Sequence, residues 1–310
     1  MVGKGVEPVL RFGIELMQPD LLMEQALGAS EPASDVEPAG LSLDVASTVE
    51  RVADMGFDLI ELNPDLMIFF PRCLNLPSVN RLRMLKESRG LSYTLHLPLW
   101  SVEPSTPVQP VRRGSVEALV DGILRMASLE PEVYVLHATG ALASEFSSMA
   151  ALEPVRPLVL RMFQEQARRS IKRLLDCTGL PPRRLAVENI EFPLELTLEL
   201  AEEFDLSVCL DIGHLLAGYS GDVTLEEALA RIFPRLAEVH LHDAYHRQAP
   251  DGSVRVADHL PLGYGDLAIE WFLGQLQEAD FTGPVIFELT IEEAHASLEL
   301  IRTCCPDTLD

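Results

Sequence analysis

The sequence predicts an α/β fold, a single (β/α)8 TIM barrel over residues 1–310 with its functional site at the C-terminal rim of the strands. Short apolar runs, typical of strands buried on both faces, recur along the chain, and an amphipathic helical pattern follows each of them. This alternation occurs eight times, which favours a closed parallel barrel over an open sheet. A chain of 310 residues with 47% hydrophobic residues can bury the one large core that such a barrel needs.

Each element is predicted from its local pattern. The strands are expected at about 10–16, 57–63, 91–97, 133–138, 184–190, 206–212, 236–242 and 284–289. The helices between them are expected at 45–55, 78–90, 115–129, 155–179, 194–204, 224–233, 267–279 and 292–304. The longest of these ends on Gly179, a residue type that commonly stops helices. The two least regular stretches, 17–44 and 243–264, are predicted to be loops over the barrel mouth, the second suited to a lid or to carrying ligands.

Composition narrows the possible partners. The chain has 48 acidic and 24 basic residues, a formal charge of −24, and so negative a surface repels nucleic acid. The five cysteines show no metal-finger spacing, which suits a reducing compartment, and the sequence has neither a signal segment nor an apolar run long enough to span a membrane. We therefore expect a cytoplasmic protein that acts on a small molecule, with no nucleic-acid or membrane partner. The sequence does not indicate an oligomeric state.

Side chains that commonly bind metals stand at or just after the carboxyl ends of most predicted strands. They are Glu61, His96, His137, Glu188, Asp211, His214, His240, His242, Asp243 and Glu288, joined by Asp258 and His259 from the loop after the seventh strand. The carboxyl ends of barrel strands meet at one rim, so we expect these side chains to share one mouth. Interleaved imidazoles and carboxylates are ligands that zinc and manganese accept. The sequence therefore predicts a divalent-metal site.

Each of these residues also has a plainer interpretation. Asp211 can be the N-cap of the helix after the sixth strand. Glu188 can be a buried carboxylate paired with an arginine, and Glu288 can cap the last helix. A lone histidine at a strand end is more often a satisfied polar residue than a ligand. The metal interpretation is favoured because the plainer ones require many coincidences on one rim.

The motifs VENIE, CLDIGH, VHLHD and FEL, in that order at strand ends, resemble the xylose isomerase-like TIM barrels. That superfamily includes sugar epimerases and isomerases as well as the endonuclease IV type of phosphodiesterase, and the likeness extends over nearly the whole chain. In the epimerase-like branch a single cation is held by four residues. The resemblance places them at Glu188, Asp211, His240 and Glu288.

The endonuclease-like branch has further histidines and binds three cations. The resemblance assigns His96, His137 and Glu188 to the first cation; Glu188, Asp211, His240 and Glu288 to the second; and His214 and His259 to the third. His259 stands four residues before Gly263, as in the family pattern, but the aspartate expected two residues before it is Ala257 here. The third site can therefore be altered, use Asp258 or Asp243, or be empty.

Hydrolysis of a phosphodiester is the function that the sequence favours. His96 and His137 are superfluous for isomerisation at one cation, whereas several cations assist phosphodiester hydrolysis. The segments LSYTLHLPLW, YVLHATG, VENIEFPLEL and SVCLDIGHLLAG are similar to the cobamide-remodelling phosphodiesterases. This resemblance implies cleavage of the nucleotide loop of a cobamide by a metal-bound hydroxide. It also implies catalytic roles for Glu188 and Glu288 and up to three divalent cations, zinc or else manganese.

Two other functions stay open at the level of sequence. One is a mononuclear sugar isomerase or epimerase of the same superfamily, and the other is a ligand-binding barrel without catalysis. Against the second stands the cost of retaining many buried ionisable side chains without a metal. The apolar segment over 64–77 is either one wall of a large substrate site or ordinary packing.

Overall fold

Eight short parallel strands close into a barrel within the residues that the computed structural model describes, 9–18, 43–249 and 252–309. The described strands are β1 (Arg11–Glu15), β2 (Leu59–Leu62), β3 (Ser92–His96), β4 (Tyr134–Leu136), β5 (Leu185–Glu188), β6 (Ser207–Asp211), β7 (Leu236–Leu241), β8 (Asp243–Gln248), β9 (Val254–Leu260) and β10 (Pro284–Phe287). All except β8 and β9 belong to the barrel, in the order β1-β10-β7-β6-β5-β4-β3-β2. The predicted fold class is therefore confirmed.

Helices follow the barrel strands and have well-defined ends. The described α-helices are α1 (Val45–Asp54), α2 (Leu66–Phe69), α3 (Leu76–Arg89), α4 (Gln109–Met126), α5 (Ala141–Ser148), α6 (Arg156–Thr178), α7 (Leu194–Glu203), α8 (Ile212–Leu216), α9 (Leu225–Ile232), α10 (Ile269–Glu278) and α11 (Ile291–Cys304). Gly179 ends α6 in the left-handed conformation, with φ 65°, so the predicted helix stop is confirmed. Capping boxes begin α9 and α11, at Thr224 with Glu227 and at Thr290 with Glu293.

Alternation along the barrel strands separates the apolar core from the polar interior. Leu210 and Val239 belong to the large hydrophobic core that packs the strands against the helices. Their chain neighbours Asp211 and His240 are completely buried and point to the opposite face, into the barrel. Asp211 and His240 are also register partners on adjacent strands, so the sheet itself sets them side by side.

The predicted loop over 243–264 is largely an antiparallel hairpin, which corrects the expectation of an irregular segment. Strands β8 and β9 pair along their length, with an irregular register between Asp243 and Tyr245. The alternation of Val254 and Val256 with polar residues is a strand signal that the glycines of this segment obscured. The hairpin lies outside the barrel sheet and forms a two-stranded sheet of its own.

Two other sequence expectations concern parts of the chain outside the barrel wall. The predicted loop over 17–44 lies outside the described residues except for its ends, at 17–18 and 43–44. None of the helices in the described ranges combines the length and the apolar character that crossing a bilayer demands.

Candidate metal centre

The first cluster at the barrel mouth, which we call the strand-held group, consists of His96, His137 and Glu188. His96 ends β3, His137 follows β4 and Glu188 ends β5, so three consecutive strands deliver them. The Nε2 atoms of His96 and His137 lie 3.3 and 2.9 Å from Oε2 of Glu188. Nδ1 of His96 donates to the carbonyl of Leu97 at 2.8 Å, and this bond leaves Nε2 as the ring atom facing the cluster.

The second cluster, the central group, consists of Glu188, Asp211, His240 and Glu288. Nδ1 of His240 lies 3.1 Å from Oε1 of Glu288 and 3.5 Å from Oε1 of Glu188. The other ring nitrogen, Nε2, lies 3.4 Å from Oε1 of Glu61, a completely buried carboxyl on β2. Asp211 is the register partner of His240, so all four positions that the epimerase-like resemblance assigned to one cation lie at the same rim of the barrel.

Asp211 caps a helix and also faces the central group. Its Oδ1 accepts a hydrogen bond from the backbone N–H of His214 at 2.6 Å, which is the N-cap bond of α8. Its Oδ2 lies 3.2 Å from Nε2 of His242 and 3.4 Å from Nδ1 of His214. Asn189 fixes the backbone of Asp211 with two hydrogen bonds of 2.8 Å, one in each direction. The cap interpretation is thus correct, and it leaves one carboxylate oxygen directed at imidazoles.

The plainer interpretations of the two glutamates are wrong. The last helix, α11, is capped by Thr290 and Glu293, so Glu288 does not cap it. Among the described residues, the ion-pair partners of Glu188 are the histidines at 96, 137, 214 and 240, and no arginine is among them.

The third cluster, the hairpin-held group, consists of His214, His242 and His259. The rings of His242 and His259 are stacked, with centroids 4.1 Å apart and planes at 12°. The ring of His214 lies 5.9 and 5.8 Å from these two. The backbone N–H of His259 donates to Nδ1 of His242 at 2.8 Å, which fixes the approach of the hairpin. His259 itself has a left-handed backbone, with φ 49°.

Neither of the two aspartates considered for a third site joins this group. The carboxylate of Asp243 accepts hydrogen bonds of 2.8 to 3.0 Å from the backbone N–H groups of Ala244, Gly263, Gly265 and Leu267. These bonds occupy both oxygens of Asp243. Asp258 belongs to none of the ligand clusters found in the described ranges, and its Oδ1 lies 3.4 Å from Nδ1 of His259.

In this mouth, charge pairing lowers the pKa of Glu188 and raises the pKa values of His96 and His259. In each case burial opposes the shift. Burial alone raises the pKa of Glu188, but the adjacent His137 and His240 outweigh it and hold that pKa well below its usual value. Burial lowers the pKa of His96, yet the hydrogen bond to Glu188 prevails and raises it to about 10. Burial also opposes the charged form of His259, but Asp258 and Glu288 raise its pKa to about 11.

The donor set fits divalent cations. Both ring nitrogens of His240 and Nδ1 of His214 are buried, and none of them makes a hydrogen bond of good geometry to the described residues. Carboxylate oxygens lie 3.1 to 3.7 Å from these nitrogens, and a cation among them would supply the bonds that this geometry lacks. The ligand atoms of the strand-held group lie within 4.8 Å of one another, as do those of the hairpin-held group. Imidazole nitrogen with carboxylate oxygen is a set that zinc and manganese accept.

A cavity of about 390 Å³ opens onto these clusters. Beside the ligand side chains, its wall is apolar at Met17, Leu99, Trp100 and Ile190. Asp65 fixes the loop that carries Trp100. Its Oδ2 accepts hydrogen bonds from the backbone N–H groups of Leu99 and Trp100, at 2.8 and 2.9 Å.

The segment over 64–77 divides between the two interpretations given to it. Leu66 and Phe70 are buried and pack in the core, whereas Ile68 and Phe69 are about half exposed. The ring of Phe69 meets the ring of Trp100 edge-on, with centroids 5.9 Å apart. One part of the segment therefore packs in the core. The other part, with Trp100, forms an exposed apolar surface beside the cavity, which we call the exposed ledge.

Comparisons with known proteins identify the family to which this fold belongs. A family model described as "Xylose isomerase-like TIM barrel" matches residues 49–304. The chain belongs to the xylose isomerase-like TIM barrel family. Its structure is similar to that of a D-tagatose 3-epimerase-like protein, with 20% identity, a TM-score of 0.67 and coverage of 96% of this chain and 98% of that chain. It is also similar to endonuclease IV from Thermus thermophilus, with 20% identity, a TM-score of 0.61 and coverage of 96% of this chain and 99% of that chain.

One curated relative matches in sequence. The chain is 24% identical over 267 residues to the uncharacterized protein MJ1311 of Methanocaldococcus jannaschii, a match that covers 83% of this chain and 84% of that protein. The family predicted from the strand-end motifs is thus confirmed. The structural likenesses establish the xylose isomerase-like fold, which enzymes named as epimerases and as an endonuclease share.

Three residues of this xylose isomerase-like mouth have no role assigned from the sequence: Glu61, His242 and Glu15. The structure places His242 in the hairpin-held group, and Glu61 forms a possible ligand cluster with His240 and Glu288. Glu15 ends β1 and lines the cavity, where its carboxylate accepts a hydrogen bond from Asn63 at 2.9 Å. Burial, together with the charges of Glu288 and Glu61, raises the pKa of Glu15 to about 7. Its position at a strand end was the available signal.

Proposed function

We propose that the protein is a metal-dependent hydrolase that cleaves a phosphodiester in a small nucleotide-containing cofactor. The observation that carries the proposal is the strand-held group: His96 and His137 both address Glu188, beyond the four residues that a single cation needs. A mononuclear isomerase has no use for this pair, whereas phosphodiester hydrolysis benefits from cations on both the attacking and the leaving oxygen.

The chain supplies positioning and proton handling around the cations. When bound, the cations neutralise charge that develops on phosphoryl oxygens and lower the pKa of water. Glu188 belongs to the strand-held group and also lies beside His240 in the central group, and its lowered pKa favours the ionised form that would be a shared ligand. Glu288 pairs with His240 on the other side of the same group. Glu15, with its pKa raised to about 7, lines the same cavity and can give a proton to a leaving oxygen.

The cavity and the charge support a small substrate rather than a nucleic acid. A volume of about 390 Å³ accommodates a nucleotide-sized group. A formal charge of −24 gives a polyanion little attraction. The exposed ledge of Phe69 and Trp100 can cover an apolar part of the substrate. A cobamide, which carries both a nucleotide loop and a large corrin ring, is the substrate to test first.

The test incubates the zinc- or manganese-loaded protein with adenosylcobalamin-type cobamides and follows release of the lower-ligand riboside by chromatography. We expect release by the wild type and a loss of at least about 100-fold with His96→Asn or His137→Asn. The matched control is His295→Asn, because His295 packs beside Phe57 away from the mouth. Absence of riboside release by the loaded wild type would refute the cobamide proposal.

A mononuclear sugar isomerase or epimerase is the second candidate, because Glu188, Asp211, His240 and Glu288 by themselves form a complete four-residue set. It predicts one cation per chain and turnover of a ketose that survives the loss of His96 and His137. Finding that combination would replace the hydrolase proposal.

A further inference from the structure

We infer that this chain builds a third cation site from three imidazoles, those of His214, His242 and His259, without a carboxylate ligand from the hairpin. The inference rests on the proposed function only in taking the mouth to be loaded with metal. It adds His242 to the ligand set and excludes Asp258 and Asp243. The chemistry implied is a borderline cation such as zinc or cobalt, because three neutral nitrogens suit such ions better than magnesium.

The contacts of His242 identify it as the third ligand. Its Nδ1 is occupied by the backbone N–H of His259, so Nε2 is the ring atom left for a ligand bond. That Nε2 faces Oδ2 of Asp211 at 3.2 Å and Oε2 of Glu288 at 3.7 Å. The ring is completely buried at the junction of the barrel and the hairpin, where a structural histidine gains nothing from two more imidazoles beside it.

The backbone makes room for this ring. Gly213 lies at the start of α8, and a Cβ at that position would collide with the imidazole of His242. The glycine therefore permits His242 to lie against α8, directly beside the position that carries His214. Nδ1 of His214 is buried and makes no hydrogen bond to the described residues, with the oxygens of Asp211 and Glu188 at 3.4 and 3.7 Å, so this nitrogen is open to a cation at this end of the mouth.

The two nearby aspartates, Asp243 and Asp258, make other contacts and are not ligands of this site. Asp243 uses both oxygens to hold four backbone N–H groups around the hairpin and the turn that follows it. Asp258 lies 3.4 Å from Nδ1 of His259, while Nε2 of that ring points inward to Glu288 at 3.5 Å. A carboxylate on the outer nitrogen of a metal-binding histidine orients the ring and fixes its tautomer. Asp258 is thus a positioning residue for His259 rather than a ligand.

The experiment counts cations bound to the full-length protein. Metal-free protein is titrated with cobalt(II), following the visible absorption of the ion and the heat of binding. We expect three equivalents for the wild type and two for His242→Asn. His246→Asn, a change on β8 four residues after His242 and at an exposed ring, should keep three. Circular dichroism and thermal unfolding confirm that each variant is folded.

A double variant separates a ligand from a residue that merely supports Asp211. If His242 and His259 bind the same cation, His242→Asn/His259→Asn loses one equivalent, whereas His242→Asn/His96→Asn loses two. The inference is overturned if the wild type binds no more than two equivalents, if His242→Asn keeps the count of His246→Asn, or if the His242→Asn/His259→Asn variant loses two.

The outcome is distinguishable from failure of the proposed function. A wild type that binds three equivalents but cleaves no phosphodiester would refute the function and leave the three-imidazole site standing. A wild type that cleaves a phosphodiester with two equivalents would do the reverse.

Discussion

The strand-held and hairpin-held groups lie on opposite flanks of one mouth and are fixed by different means. His96 and Glu188 end barrel strands, and their side chains are almost wholly buried. His259 stands on a hairpin outside the barrel sheet, with its side chain 48% exposed and its backbone at φ 49°. The first flank is positioned by the sheet ladder that also makes the fold. The second depends on hydrogen bonds from individual side chains.

This difference separates the ligand positions that the barrel fold provides from those that depend on individual side chains of this protein. Any barrel with the same strand register presents three neighbouring strand ends, so ligands there can be shared widely within a family. The hairpin position depends on Asp243 and on the bond between His259 and His242. We therefore expect the two flanks to respond separately to substitution, except at the residue that both the strand-held and the central groups share.

The largest effect is expected from Glu188→Gln. The substitution keeps the size of the side chain but removes the charge that two clusters use, so we expect the first two cations to be lost. Hydrolysis should fall by roughly 10³-fold or more, the scale of losing preorganised charge stabilisation. Glu188 approaches the hairpin-held group at Nδ1 of His214, 3.7 Å from its Oε1, but supplies none of the three imidazoles, so that flank should keep most of its cation affinity. Metal analysis and initial rates measure both outcomes.

The control for this substitution is Glu238→Gln. Glu238 is also completely buried inside the barrel, but burial and the neighbouring Glu61 raise its pKa well above the usual value, which favours the protonated form. A neutral amide of the same shape should therefore leave metal content and rate nearly unchanged. Equal losses in the two variants would mean that Glu188 acts through packing rather than as a ligand.

A smaller and more local effect is expected from Asp243→Asn. The amide retains one oxygen for two of the four backbone donors and turns an NH2 group toward the other two. We expect a destabilisation of about 3 kcal/mol, because two backbone donors that share one oxygen lose their acceptor. Cobalt(II) binding should weaken at the hairpin-held group and persist at the strand-held group. Urea unfolding and cobalt titration report these two quantities.

Asp266→Asn is the matched control, since Asp266 pairs with Arg247 of the same hairpin at the surface. An exposed ion pair contributes little to stability, so neither unfolding nor metal binding should change noticeably. If the strand-held group lost its cation as readily as the hairpin-held group in Asp243→Asn, the flanks would not be independent.

The sequence was sufficient for the fold and for the strand-end side chains, for a physical reason. Eight alternating units determine a closed barrel, and the barrel in turn brings residues such as His96, Glu188 and His240 together without further information. Their common rim could therefore be predicted from strand assignment alone. The family followed from the same strand-end motifs.

The rest depends on contacts that no local pattern encodes. Whether His242 faces the mouth depends on the absence of a Cβ at Gly213 and on the hairpin folding back to stack His259 against it. Asp258 was expected near the third site because it adjoins His259 in sequence, but its contact is with the outer nitrogen of that ring. For the hairpin, the sequence predicts an irregular loop, because the glycines of this segment outweigh its short alternating run.

The smallest effect is a pH dependence that again distinguishes the flanks. With no cation bound, His96 has its pKa raised to about 10 and His259 to about 11, so both rings carry a proton near neutrality. A cation must displace those protons, and affinity should therefore rise with pH, by about tenfold per unit for each proton released. Calorimetry in buffers of different ionisation enthalpy measures the protons released. His96 is buried, whereas His259 and its partner Asp258 are partly exposed, so added salt should lower the pKa of the ring, and with it the competition of the proton against the cation, only at the hairpin-held group. Salt acting equally on both flanks, or binding without proton release, would contradict the charge pairing described for this mouth.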